Sequence, residues 1–218
     1  MTEHRPRLSS ASNLLGIARI VATPIVIILL LVPFPGSGIV AFVVFSIAAA
    51  TDWLDGRVAR RRGEVTPLGV FMDLTADKVL VAGVLVAMVE VGLLPTWIVA
   101  TIVIRELVIA GVRQFAASGN VVIAARGLGK SKTLATLIGI AVLLLAFEAR
   151  PGGLLSTLAI ALALATVGFW VMALATVLTV LSAVDYLRGA MPILFGRTDA
   201  VATDTSWSHV DATRNRPG

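Results

Sequence analysis

Long apolar stretches separated by short polar breaks are the main feature of this 218-residue chain. Most of the breaks contain proline, glycine or clustered charge. An α-helix rises 1.5 Å per residue, so about 20 apolar residues cross the ~30 Å hydrocarbon core of a bilayer. The pattern therefore predicts an all-α, polytopic membrane protein with six transmembrane helices, over residues 14–32, 39–58, 67–93, 96–117, 133–147 and 154–187.

The first and last apolar stretches need separate interpretation. The first is long for a secretory signal, contains Arg19 and precedes further spans, so we expect it to be retained as a membrane helix. The last would be about 50 Å long, and we expect one continuous helix that protrudes from the bilayer. We assign residues 1–188 to one membrane domain and expect residues 189–218 to form a polar, disordered cytoplasmic tail.

Positive charge is concentrated on alternate loops. The segments after the second, fourth and sixth stretches each carry several basic residues, whereas the opposite turns carry only Arg150. Basic loops tend to remain in the cytoplasm. Both termini are therefore predicted to be cytoplasmic, and we expect the protein in the inner membrane.

Composition supports this class of protein and narrows its chemistry. The chain is 57% hydrophobic and 14% charged, with a mean hydropathy of +0.94, which excludes an ordinary soluble domain. Its net charge of +5 fits basic loops beside anionic lipids, and we expect no nucleic-acid partner. Because cysteine is absent and His4 and His209 lie in the polar tails, any metal must be held mainly by oxygen.

Four aspartates are unexpected in these apolar stretches, because a buried acid costs several kcal/mol unless it is paired, hydrated or ligated. Asp52 and Asp55 lie near the end of the second stretch, and Asp73 and Asp77 lie near the start of the third. Spacings of three and four residues place each pair on one helix face. Two antiparallel neighbouring helices would bring the four carboxylates together at a similar depth.

Such a cluster requires compensating positive charge. Carboxylate oxygens suit hard cations, so the cluster predicts a site for Mg²⁺ or Mn²⁺, with two ions able to clamp a phosphoryl-type displacement. One alternative is an ion-pair network with Arg57, Arg60 and Lys78. Another is a divalent-cation transporter, which would need a pathway of acids through the other spans. The first, fifth and sixth stretches supply no such acids within the membrane.

The four aspartates belong to a longer motif with fixed spacing. It matches, without substitution, the signature of the CDP-alcohol phosphotransferases, and the chain therefore resembles that family. The resemblance implies a six-helix membrane enzyme that uses an acceptor hydroxyl and a divalent metal to displace CMP. The signature positions are Asp52, Asp55, Gly56, Ala59, Arg60, Gly69, Asp73 and Asp77.

The resemblance also implies a role for each signature residue. Asp77 would complete the metal site and accept the proton of the attacking hydroxyl. The implied metal ligands are Asp52, Asp55, Asp73 and Asp77. The implied CDP-diacylglycerol pocket is formed by Asp52, Gly56, Ala59, Arg60 and Gly69.

Motifs outside the signature resemble the members of this family that use glycerol 3-phosphate as the acceptor. The matching segments lie at 13–24, 105–113 and 129–133, with departures at Gly16, Leu74-Thr75 and Thr136. A phosphorylated acceptor needs cations beside the metal. The implied acceptor-phosphate ligands are Arg105, Arg113, Lys130 and Lys132.

Arg105 is the most informative of these cations because it lies inside an apolar stretch. We expect the adjacent Glu106 to face another direction, since neighbouring helical residues diverge. An ion pair between Arg105 and a cluster aspartate is an alternative. Lys130 and Lys132 would equally fit ordinary loop charges.

The resemblance implies a phosphatidyltransferase that joins CDP-diacylglycerol and glycerol 3-phosphate at the cytoplasmic membrane face. Inositol phosphate and phosphatidylglycerol stay open as alternative acceptors. The family resemblance further implies a homodimer in the lipid bilayer.

Overall fold

The computed structural model describes residues 11–62, 67–118, 128–156 and 160–194, with side chains for 16–51, 75, 76, 78–117, 131–156 and 162–191. These ranges are entirely helical apart from turns, which confirms the all-α prediction. The helices are α1 (Ala11–Leu31), α2 (Ser37–Arg62), α3 (Pro67–Glu90), α4 (Thr96–Ser118), α5 (Leu128–Glu148) and α6 (Ile160–Leu194).

The helix bounds follow the apolar stretches, with differences in α5 and α6. α5 begins at Leu128, so Lys130 and Lys132 lie on its first turns and not in the preceding loop. α6 is one continuous helix of 35 residues and extends to Leu194, past the domain end placed at residue 188. Residues 195–218 of the expected tail lie outside the described part.

Two described helical stretches are long and apolar enough to cross a membrane, namely Ser131–Glu148 and Leu162–Met191. Gly16–Leu31 and Ser37–Thr51 are apolar but shorter. The apolar helices and the exposed apolar side chains on their surfaces indicate a membrane-associated protein.

All six helices contribute to one apolar core, and glycines bring some of them into close contact. A Cβ atom at Gly83 of α3 would lie 2.8 Å from Thr23 Cγ2 of α1, and one at Gly168 of α6 would lie 2.7 Å from Leu143 Cδ2 of α5. Small residues permit such tight packing between membrane helices. Core side chains from α1 to α6 include Val26, Phe45, Leu85, Ile98, Leu144 and Met172.

A buried carboxylate joins the turns at one end of the bundle, here called the turn end (residues 32–36, 91–95 and 149–156). Glu148 is 1% exposed. Its Oε1 accepts hydrogen bonds from the backbone N–H groups of Gly36 (2.7 Å) and Leu154 (2.6 Å), and its Oε2 accepts one from Gly38 (2.7 Å). Gly38 lies in the first turn of α2, where unpaired N–H groups favour an anion. Glu148 therefore fixes the start of α2 against the end of α5.

Arg150 ties the third turn to the same end. Its Nη2 donates a hydrogen bond to the carbonyl oxygen of Val91 (2.6 Å), and its guanidinium lies 5.0 Å from the Phe147 ring centre. The opposite end, which carries the clustered basic loops, is called the basic end below.

We predict that Glu148→Gln destabilises the fold. Glutamine replaces one accepting oxygen with an amide nitrogen, so at least one of the three N–H groups loses its partner. A buried unsatisfied donor costs about 1–3 kcal/mol, which corresponds to a fall in Tm of about 2–12 °C for a chain of this size. Thermal unfolding in detergent measures this, with Glu90→Gln, at an exposed position in α3, as the control. Equal Tm values for the two variants would contradict the anchoring role.

Candidate active site

The predicted metal-binding aspartates lie on two helices of the same bundle. Asp52 and Asp55 are on α2, and Asp73 and Asp77 are on α3, with each pair at a spacing that shares one helix face. α1 packs against both α2 and α3. The side chains of these aspartates, and of the predicted nucleotide-pocket residues Gly56, Ala59, Arg60 and Gly69, lie outside the described part.

Arg19 is a buried cation on the helix that contacts both aspartate-bearing helices. It is 1% exposed. Thr23 of α1 meets Gly83 of α3, and both helices run toward the turn end. By the helical rise, Arg19 lies about 6 Å from this contact toward the basic end, and position 77 lies about 9 Å from it. Arg19 is therefore at nearly the same depth as Asp77, the inner aspartate of α3. The sequence interpretation used Arg19 only as an argument against a signal peptide and as part of a motif.

A second charged group joins α4 to α5. Glu106 Oε1 accepts a hydrogen bond from Arg105 Nη1 (3.0 Å) and also forms an ion pair with Lys132 Nζ. The expectation that Glu106 faces away from Arg105 is wrong, because both side chains are long enough to meet beside the helix. Lys132 is 7% exposed, and an ion pair with this carboxylate offsets part of the cost of burying its charge.

The cations of α4 also contact α6. Arg105 Nη2 donates a hydrogen bond to Ser182 Oγ (2.9 Å). The guanidinium of Arg113 lies 5.8 Å from the centre of the Tyr186 ring, within the range of a cation–π contact. The structure thus brings Arg105 and Lys132 together through Glu106, and places Arg105 and Arg113 along one face of α6. The side chain of Lys130 lies outside the described part.

Several polar atoms between α4 and α6 are buried without a hydrogen-bond partner among the described residues. They are Arg105 Nε, Thr179 Oγ1 and Tyr186 OH. Buried polar groups are nearly always paired with protein, water or ligand. Together with Arg113, this group can bind an anion, since guanidinium N–H groups match phosphate oxygens.

The sequence interpretation missed the contribution of α6. Ser182 and Tyr186 lie on a helix that looks uniformly apolar, and neither belongs to a motif quoted for the acceptor. The sequence feature that could have indicated this contribution is the spacing of Thr179, Ser182 and Tyr186. They are three and four residues apart, which places their hydroxyls on one helix face.

Comparison with known proteins identifies the family to which the sequence is similar. A family model described as CDP-alcohol phosphatidyltransferase matches residues 10–181. The chain is 39% identical over 145 residues to the CDP-diacylglycerol–glycerol-3-phosphate 3-phosphatidyltransferase of Bacillus subtilis, covering 61% of this chain and 75% of that protein. It is 33% identical over 193 residues to a probable phosphatidylglycerophosphate synthase of Mycobacterium tuberculosis, covering 86% and 84%. A cardiolipin synthase (CMP-forming) of Oryza sativa is 35% identical over 153 residues, covering 64% and 46%.

We predict energetic coupling between Glu106 and Lys132. Glu106→Gln should lower Tm in the native background, where it removes the negative charge of the ion pair with the buried Lys132, and much less in a Lys132→Met background. Residues in contact typically couple by about 0.5–3 kcal/mol in a double-mutant cycle.

The cycle is measured by thermal unfolding of the four proteins in detergent. A second cycle that pairs Glu106→Gln with Arg188→Met, at an exposed cation of α6, is the control and should be additive. Additivity in the Glu106–Lys132 cycle as well would show that this ion pair contributes nothing to stability.

Proposed function

Because the chain belongs to the CDP-alcohol phosphatidyltransferase family and is a transferase of substituted phosphate groups, we propose that its acceptor is glycerol 3-phosphate. The donor is CDP-diacylglycerol, and the products are phosphatidylglycerophosphate and CMP. The names of the Bacillus subtilis and Mycobacterium tuberculosis relatives support this choice. The structural observation that supports glycerol 3-phosphate is a group of cations. Arg105 and Lys132 share Glu106, and Arg105 and Arg113 contact one face of α6.

The proposal includes a membrane topology in which all six helices cross the inner membrane and both termini are cytoplasmic. Alternating basic loops support this orientation. Exposed apolar side chains on several helices, among them Ile47 (63%), Leu107 (64%) and Trp170 (67%), suit contact with lipid. The substrate's acyl chains would stay in the bilayer while the nucleotide and the acceptor enter from the cytoplasm. A homodimer, as implied by the family resemblance, is part of the proposal.

The proposed metal site consists of Asp52, Asp55, Asp73 and Asp77. A set of four carboxylates on two helices of one bundle fits Mg²⁺ or Mn²⁺, which take oxygen ligands and share them with substrate phosphates. A bound divalent ion would supply neutralisation of the diphosphate charge and polarisation of the hydroxyl. Gly56, Ala59 and Gly69 would leave room for the cytidine diphosphate, and Arg60 would bind its phosphate oxygens.

Side chains of the protein accept the proton and bind the acceptor during the reaction. Asp77 accepts the proton of the primary hydroxyl of glycerol 3-phosphate, and the hydroxyl oxygen forms a bond to the lipid-bearing phosphorus. The bond from that phosphorus to the CMP oxygen breaks, and CMP leaves with the electron pair. Arg105, Arg113, Lys130 and Lys132 hold the acceptor's phosphate, which carries close to two negative charges at neutral pH.

The acceptor is tested by CMP release. Purified protein in detergent, supplied with CDP-diacylglycerol and Mg²⁺, is offered glycerol 3-phosphate, inositol phosphate or phosphatidylglycerol in separate reactions. We expect release with glycerol 3-phosphate only, loss of release with a chelator, and recovery with Mg²⁺ or Mn²⁺. Release only with phosphatidylglycerol would favour the activity named for the rice relative, and release only with inositol phosphate would likewise replace the proposed acceptor.

The metal assignment is tested by Asp73→Asn. The substitution removes one negative charge from the proposed site at nearly constant volume, so we expect turnover to fall by at least about 100-fold. Membrane insertion and elution as a homogeneous species should remain unchanged. Glu90→Gln, which removes a charge from an exposed position on the same helix, serves as the control. Full activity of Asp73→Asn would exclude Asp73 as an essential metal ligand.

A further inference from the structure

A row of hydroxyl groups lies on the face of α6 that contacts α4. Thr179 and Ser182 are 1% and 6% exposed, and Tyr186 follows one turn later. The cations Arg105 and Arg113 of α4 meet this row at Ser182 and Tyr186. The hydroxyl row thus forms the surface against which two of the proposed acceptor-binding cations are held.

The hydrogen bonds of Ser182 give its hydroxyl a defined direction. Ser182 Oγ donates to the carbonyl oxygen of Thr179 (3.0 Å), a bond within α6. Because its only hydrogen is used in this bond, a lone pair of Oγ is available to Arg105 Nη2, at 2.9 Å. Ser182 therefore acts only as an acceptor toward the guanidinium, and together with Glu106 at Nη1 it orients that group.

Ser182 differs from Glu106 in what it does to the charge of Arg105. Glu106 carries one negative charge, shared between Arg105 and Lys132. Ser182 is neutral, so it orients the guanidinium without cancelling any of its charge. The formal charges of Arg105, Arg113, Lys132 and Glu106 sum to about +2, a sign that suits a phosphate monoester dianion.

Arg105 also retains an unused donor. The side chain of Arg105 is 11% exposed, and its Nε is buried and has no hydrogen-bond partner among the described residues. A guanidinium held at Nη1 by Glu106 and at Nη2 by Ser182 still has Nε–H and one hydrogen on each Nη nitrogen to donate. A phosphate accepts such donors in pairs. The buried, unpaired Nε is thus an independent sign that a ligand binds beside Arg105.

We propose that Ser182 is a positioning residue for the acceptor's phosphate, acting through the orientation of Arg105. This inference rests on the proposed function and extends it to α6, where neither the motifs nor the family resemblance placed an acceptor-site residue. Ser182 does not itself contact the reacting atoms. Its removal should weaken binding of the acceptor and leave binding of CDP-diacylglycerol unchanged.

The test compares three variants of α6. Ser182→Ala removes the acceptor oxygen, and Ser182→Thr retains it. Thr176→Ala is the matched control, because Thr176 is a buried α6 hydroxyl (6% exposed) that donates to the carbonyl oxygen of Met172 and contacts no cation among the described residues. Steady-state CMP release is measured for each, with glycerol 3-phosphate and CDP-diacylglycerol varied in turn.

Ser182→Ala should raise the KM for glycerol 3-phosphate by about 5- to 20-fold, less than the full loss of a hydrogen bond to a charged group, because Ser182 acts through Arg105. Its KM for CDP-diacylglycerol should stay within about twofold of the native value. Ser182→Thr should recover most of the acceptor affinity, and Thr176→Ala should show no such split. Equal changes in both KM values, or the same split in Thr176→Ala, would overturn the positioning role.

Titration calorimetry with inorganic phosphate separates this inference from the identity of the acceptor. The native protein should bind phosphate, and Ser182→Ala should weaken the Kd by at least about fivefold while Thr176→Ala leaves it unchanged. This result would support Ser182 even if turnover required a different phosphorylated acceptor. An unchanged Kd in Ser182→Ala, or no phosphate binding by the native protein, would overturn the inference while leaving the transferase reaction to be judged from CMP release.

Discussion

The cost of burying charge among apolar helices is the constraint on which this structure depends. Two contact patterns stabilise three of the described charged groups inside the bundle. Glu148 is surrounded by backbone N–H groups, whereas Arg105 and Lys132 share the carboxylate of Glu106. An isolated ion in such a setting would be several kcal/mol less stable than in water. These contacts therefore specify which helices are neighbours, a choice that apolar packing alone makes weakly.

The two ends of the bundle use charge differently. At the turn end, Glu148 and Arg150 form hydrogen bonds with backbone atoms, so their contacts hold the turns together. At the basic end, Arg105 and Lys132 share Glu106, Arg113 lies over the Tyr186 ring, and Arg105 Nε has no hydrogen-bond partner among the described residues. One end is consequently suited to fixing the helices, and the other is suited to binding anions.

This division also links stability to the proposed chemistry. Glu148 holds the first turn of α2, the helix whose last turns carry Asp52 and Asp55, about 21 Å further along its axis from Gly38 to Asp52. α1 packs against both α2 and α3 and carries the buried Arg19 near the depth of Asp77. The contacts that hold α2 and α3 in place thus lie away from the aspartate pairs. This arrangement suits a site in which the negative charges of the four aspartates repel one another.

The sequence by itself determined the helices, their order and the positions of the aspartates along them, because apolar length and residue spacing are local properties of the chain. The same local reasoning failed for Glu106, whose contact with Arg105 depends on side-chain length and on the approach of Lys132 from α5. It also missed Ser182 and the three amide partners of Glu148. Those partners are separated by up to 112 residues, and only the packing of the helices brings them within hydrogen-bond distance. The tertiary structure decided them because a buried polar atom takes the partner that the fold presents to it, whatever the distance along the chain.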